Sequence, residues 1–200
     1  MLKGTLFILS GPSGVGKGTL KERLLSEFCK HLAFSVSATT RKAREGEADG
    51  REYFFVDRQE FERRIREGGF LEYAEYAGNL YGTPRAFVER LLSEGKDVIL
   101  EIEVKGARQV MRAMPENVSI FVLPPSDEIL AERLRGRGTE DEATVQRRLS
   151  QSRAEIESAG EYDYRIVNGD RDKAYEELKE IYLKHAGFMR RGEQEATPCP

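Results

Sequence analysis

The chain has 200 residues, 39% of them apolar, enough to close one sizeable core around a single sheet, which excludes disordered and fibrous classes. Its 32 Lys and Arg against 35 Asp and Glu give a formal charge of -3, so no global basic field holds it on nucleic acid or anionic lipid, and any anion site is local. Apolar runs such as Leu6 to Leu9 and Ile120 to Leu123 fall far short of the roughly 20 residues that cross a bilayer, and the N-terminal run is shorter than the ~7 to 15 residues of a signal core. The expectation is a cytoplasmic protein without membrane or nucleic-acid partners; a homo-oligomer is left open. Cys29 and Cys199 have no paired spacing and only His31 and His185 accompany them, so neither a disulfide framework nor a zinc cluster is expected.

Leu6 to Leu9 reads as a strand buried on both faces, and a helix follows from about Gly18 to Cys29, with Leu20, Leu24, Leu25 and Phe28 on one face. Phe34 to Ser37 reads as the next strand. Two stretches then interrupt the alternation. Thr39 to Thr83 has aromatic, strand-like pieces around one helix that starts with Asp57 as N-cap and Glu60 three residues on, and reads as an inserted subdomain. Later apolar runs at Val98 to Ile102, Ile120 to Leu123 and Tyr164 to Val167 alternate with helical patterns starting near Pro84, Ala107, Ser126, Glu142 and Asp172. Among them Gly136 to Glu142, GRGTEDE, is polar and flanked by arginines, and reads as a mobile lid. This predicts an α/β fold, a doubly wound sheet of about five parallel strands. The core would comprise residues 1–38, 84–135 and 150–185, with a subdomain at 39–83, a lid at about 136–149 and a flexible tail at 186–200.

Gly11, Pro12, Ser13, Gly14, Val15, Gly16 and Lys17 follow a predicted strand and open a predicted helix, the setting a P-loop requires. Backbone N–H groups can curl around phosphate oxygens there, and Lys17 can reach the terminal phosphates of a triphosphate. The hydroxyl residue expected straight after the lysine is instead Gly18, with Thr19 one place later. No direct protein ligand to a metal is therefore expected; Mg2+ would be held through ATP phosphates and water near Thr19.

Arg41 and Arg44 lie in a Gly-punctuated loop and Tyr53 opens a strand, a set that suits a dianionic phosphate. Residues 70–84, FLEYAEYAGNLYGTP, place Glu72 in an otherwise apolar and aromatic strand, followed by Tyr81 and Thr83. A lone glutamate in such a strand usually points to solvent.

These motifs together resemble the guanylate kinase family, over about Leu6 to Tyr182: GPSGVGKGT, SVSATTR, FLEYAEYAGNLYGT, GRGTE and IVN. The resemblance implies the P-loop NTPase fold and phosphoryl transfer from ATP to GMP in purine nucleotide metabolism, with Mg2+ accompanying ATP. It implies that Arg41, Arg44, Tyr53 and Tyr81 hold the GMP phosphate while Ser37, Glu72 and Thr83 read guanine. An acidic pair, usually Asp, appears as Glu101 and Glu103 on the acceptor side, and a usual Gln as Lys105. Arg137 and Arg148 match arginines that close over ATP and the transferring phosphate, Arg133 is a further candidate, and Asn168 matches a residue near the adenine. Lys17, Arg41, Arg137 and Arg148 would carry the catalysis. The alternatives are a non-catalytic guanylate-kinase-like binding module, which Lys17 disfavours, and a monophosphate kinase for another base, which Glu72 and Thr83 disfavour.

Overall fold

The computed structural model describes residues 3–136, 142–190 and 192. Among these, the strands are Leu6–Ser10 (β1), Leu32–Phe34 (β2), Ser37–Thr39 (β3), Tyr53–Phe55 (β4), Phe70–Tyr76 (β5), Asn79–Pro84 (β6), Asp97–Glu101 (β7), Val118–Leu123 (β8) and Tyr164–Val167 (β9). The helices are Lys17–Glu27 (α1), Arg58–Arg66 (α2), Arg85–Ser93 (α3), Val104–Ala113 (α4), Asp127–Arg135 (α5), Glu142–Ile156 (α6), Arg171–His185 (α7) and Gly187–Arg190 (α8), with a 3-10 turn at Glu157–Glu161.

Every position of β1 is buried. Phe7 and Leu9 pack with Leu20 and Leu24 of α1 and Tyr175, Leu178 and Tyr182 of α7. Leu6 and Ile8 face the other way, toward Val88 of α3 and Val104 and Val110 of α4. Because both faces are covered, the strand is continuously apolar instead of alternating. The five parallel strands run in the order β2-β7-β1-β8-β9. The connection from β1 runs through α1 to β2 on one side of the sheet and that from β7 runs through α4 to β8 on the other, so the carboxyl end of β1 opens into the crevice where such sheets bind ligands. Truncating Phe7, which is 1% exposed, to Ala would cost about 3 to 5 kcal/mol.

The segment read as a single strand at residues 34–37 is two strands in two sheets. β2 pairs with β7, whereas β3 leaves that sheet and pairs with β4 and β6. The second sheet has the order β4-β3-β6-β5. Its own small core is Ala38, Phe61, Phe70 and Leu80, with Phe61 of α2 stacked on Phe70 at 4.3 Å. Asp57 caps α2 by accepting from the Glu60 N–H at 2.8 Å. The Glu60 side chain does not close a reciprocal box: it pairs with Arg63 and Arg64, which hold its carboxyl down at about 2.

One expectation near the C-terminal end of the described chain is corrected. Residues 186–190, grouped with the flexible tail, are ordered: Phe188 is fully buried against Phe28 and Tyr182, and His31 stacks on it at 4.3 Å. The buried Asp97 carboxylate accepts from the N–H groups of Thr5 and Gly187 and from the Tyr182 hydroxyl, clasping both termini to β7. Of the expected lid, residues 137–141 lie outside the described residues, as do 191 and 193–200 of the tail.

Candidate active site

α1 begins on Gly16, in the left-handed region at φ 98°, with no side-chain cap and no acidic residue in its first turn. Asp57, Ser126 and Asp170, by contrast, cap α2, α5 and α7 with their side chains. The opening N–H groups of α1 thus remain available to an anion at the positive end of the helix. Asn168, buried just beyond β9, donates from Nδ2 to the Val15 carbonyl at 2.8 Å. A Cβ on Gly16 would come within 2.5 Å of that nitrogen, so Asn168 forms the floor of the loop. Arg133 reaches the same carbonyl at 3.5 Å, and Arg148 of α6 donates to Ser13 Oγ at 2.6 Å. The Lys17 ammonium folds over its own loop, donating to the carbonyls of Gly11 and Pro12 at 2.5 and 3.0 Å.

Two cavities meet at this loop. One of about 380 Å³ is walled by Ser13, Gly16, Lys17, Gly18, Thr19 and Glu101, among others. The other, about 450 Å³, extends from Ser13, Lys17 and Glu101 to Ser37, Tyr53 and Glu103. Ser13, Lys17 and Glu101 line both, so whatever fills one cavity faces the other across Lys17. Glu101 ends β7 and pairs with Lys21 at 2.8 Å. A Cβ on Gly18 would lie 3.9 Å from both of its carboxylate oxygens. A carboxylate therefore stands beside the place where other P-loops carry a hydroxyl.

Strand register brings further predicted residues together in the second sheet, of which Ser37 and Tyr53 line the second cavity. Ser37 is paired with Tyr53 across β3 and β4, Thr39 with Tyr81 across β3 and β6, and Glu72 with Thr83 across β5 and β6. The Tyr53 and Tyr81 rings meet edge to face at 6.0 Å, and the Arg41 guanidinium lies 5.4 Å from the Tyr53 ring. Arg44 is exposed and its side chain makes no hydrogen bond or ion pair among the described residues.

Glu72 is not a solvent-facing residue. The register of β5 shifts between Phe70 and Glu72, so three consecutive residues are buried: Phe70 in the small core, Leu71 in the large one, and Glu72 between them at 8% exposure. Such a bulge breaks the two-residue alternation at this end of β5. Glu72 Oε1 accepts from the Thr83 hydroxyl at 2.7 Å. Its Oε2 lies where a Cβ on Gly106 of α4 would approach to 2.8 Å, so a side chain at 106 would strike the carboxylate. Burial pushes the Glu72 carboxyl above the usual range, with the Glu103 charge adding to the rise and the Thr83 bonds opposing it.

The structure thus brings together Gly11 to Thr19, Arg133, Arg148 and Asn168 on one side, and Ser37, Arg41, Tyr53, Glu72, Tyr81, Thr83 and Glu103 on the other, with Glu101 between. Arg137 lies outside the described residues. Sequence reading missed Lys21, Glu47, Gly106 and Glu155. Lys21 sits one turn after Lys17 on α1, a legible signal, whereas Glu155 reaches the cavity wall from α6 only through tertiary packing. Its carboxyl is raised by burial and by Glu103, against the opposing pull of Lys17.

Comparison with known proteins decides the family. The guanylate kinase family model matches residues 3–185. The chain belongs to the guanylate kinase family. It is 51% identical over 199 residues to the guanylate kinase of Rubrobacter xylanophilus, covering 100% of both chains, and 52% identical over 180 residues to that of Synechocystis, covering 90% of this chain and 94% of the relative. The crystal structure of guanylate kinase from Anaplasma phagocytophilum superposes with a TM-score of 0.69 at 36% identity, covering 92% of this chain and 87% of that one. The parallel sheet of this chain carries the loop at the end of its central strand, β1. No helix among the described residues is long and apolar enough to cross a membrane.

Proposed function

We propose that this chain transfers the γ-phosphoryl group of ATP to the 5′-phosphate of GMP, giving ADP and GDP. The observation that carries the reading is the shared wall of Ser13, Lys17 and Glu101, which sets a triphosphate loop face to face with an acceptor cavity. The nucleophile is a GMP phosphate oxygen, largely ionised near neutral pH because the second phosphate pKa is about 6. A new P–O bond forms to it as the β–γ bridging bond breaks, and the electron pair leaves with ADP. No general base is needed. His185 is held to the Tyr164 hydroxyl at 2.7 Å and His31 is stacked on Phe188, both outside the cavity walls.

The protein's part is alignment and charge neutralisation. The loop amides and Lys17 hold the donor phosphates, Arg133 and Arg148 brace the loop, and Arg41, Arg44, Tyr53 and Tyr81 take the acceptor phosphate. Arg148, now on Ser13, is placed to transfer its bond to phosphate, and Arg137 joins it by resemblance. Guanine presents an imide N–H and an exocyclic amine side by side, which one carboxylate accepts together and which adenine lacks. Glu72 is that carboxylate, with Ser37 lining the way and Thr83 holding one oxygen; the Thr83 proton is spent on Glu72 until the base arrives. Glu103 lines the same cavity. By this reading 39–83 is the acceptor subdomain, and the lid is the segment at about 136–149.

The oxygen-rich wall of Thr19 and Glu101 beside Gly18 fits a hydrated Mg2+ carried by ATP, and these two residues would hold it through water. That ion supplies neutralisation of the phosphate charge. A coupled ADP assay with ATP and GMP tests the function. Turnover that needs both substrates is expected; nucleotide binding without turnover would favour a non-catalytic module.

A further inference from the structure

Glu47 lies in the loop between β3 and β4 and belongs to neither cavity wall, yet it organises the acceptor arginines. Its two carboxylate oxygens take the Arg41 fork at 2.9 and 3.0 Å, one for each terminal nitrogen. The same carboxylate accepts the Arg44 backbone N–H at 2.8 Å, and the Glu47 N–H donates to the Arg44 carbonyl at 3.1 Å. Glu47 therefore closes the turn that carries one arginine and grips the side chain of the other. The pair is well covered, with side-chain exposures of 16% for Arg41 and 18% for Glu47. A second bond, from Arg41 to the Lys42 carbonyl at 2.7 Å, completes the clamp.

The contrast with Arg44 gives this arrangement its meaning. Arg44 extends from the turn with no hydrogen bond or ion pair on its side chain among the described residues, while Arg41 is fixed against Tyr53 and Phe55. A long side chain held in advance loses less conformational freedom when ligand arrives. We propose that Glu47 is a positioning residue for the acceptor phosphate: it fixes the Arg41 guanidinium and the backbone turn that carries Arg44, so that Arg41 meets a 5′-phosphate in a preset geometry. It touches neither substrate, and it acts through Arg41. The inference rests on the proposed acceptor site, and the experiment separates the two.

Binding of GMP and of guanosine is measured by calorimetry on the parent, Glu47→Gln, Arg41→Ala and the double variant. Glu47→Gln keeps the size of the side chain and an acceptor for the Arg44 N–H but loses the charged fork. It is expected to weaken GMP by roughly tenfold and to leave guanosine binding and the KM for ATP at parent values, with KM for GMP rising more than kcat falls. In the Arg41→Ala background Glu47→Gln is expected to add little, because a residue that works through another is not additive with it. Unchanged or tighter GMP binding in Glu47→Gln, an equal loss for guanosine, or a full additional loss in the double variant would each overturn the proposal. Failure of the acceptor site itself reads differently: Arg41→Ala would then bind GMP as the parent does.

Discussion

The two halves of the active site are built by different means. The donor loop is one stretch, Gly11 to Thr19, between a fully buried strand and a helix without a side-chain cap. It offers backbone N–H groups, and its shape is held by distant side chains: Asn168 and Arg133 on Val15, Arg148 on Ser13. The proposed acceptor site is drawn from residues 37 to 83 on and around a small mixed sheet, with Glu103 beyond β7; it offers side chains and is held by Glu47 on Arg41 and Thr83 on Glu72. The difference follows from the ligands. Phosphate groups common to all nucleoside triphosphates need only a ring of amides and a cation, whereas choosing one base requires side chains whose donors and acceptors match that base.

If base choice resides in the acceptor half alone, the largest effect is discrimination. A site that pairs a buried carboxylate with two donors rejects a ligand lacking them by roughly 10⁴, so kcat/KM for AMP as acceptor should fall that far below the value for GMP. Comparable rates with AMP and GMP would remove Glu72 from base reading and dissolve the division of labour. In the donor half, Lys17→Ala should lower turnover by about 10² to 10³ while circular dichroism and GMP binding stay as in the parent, because Lys17 bonds to its own loop and not to the core. Near-parent turnover would end the P-loop assignment.

A smaller effect sharpens the comparison through pH. Burial raises the Glu72 carboxyl, and guanine pairing needs it ionised, so guanosine affinity should decline on acidification at a pH above the ordinary glutamate range. Guanosine is the probe because it has no phosphate to titrate. A carboxyl raised in the fold favours its neutral form: the stability tied to it is present below the unfolded pKa and lost as pH rises through the folded value. Glu72→Gln should accordingly have a higher Tm than the parent at pH 7, with the gap closing as pH falls from above the ordinary glutamate range into it. A gap that is constant with pH would mean that Glu72 is not desolvated.

Much of this was legible before any coordinates. The P-loop could be read because all of its parts are contiguous: an apolar run, glycines, a lysine and a helical period obey local rules of backbone conformation and burial. The five-stranded sheet was legible for the same reason, since strands covered on both faces are apolar throughout. What lay beyond the sequence was long-range. The split of residues 34–37 between two sheets depends on which partner strand each half meets, and Phe188 was read as tail because a helix of four residues, Gly187–Arg190, is too short to show a period.

Glu72 and Glu47 mark that boundary most clearly. From sequence, Glu72 was a charge in an aromatic strand, the kind of residue that usually points to solvent. Tertiary structure decided otherwise through a shift of register, a glycine at 106 that leaves room for the carboxylate, and Thr83 opposite it. Glu47 looked like one more charge in a charged loop until folding closed the Arg44 turn and brought the Arg41 fork onto it. The sequence determined which chemical groups were available and where the chain turned; the tertiary structure decided which of them were desolvated and paired. Desolvation and pairing depend on atoms far apart in the chain, and no local pattern encodes them.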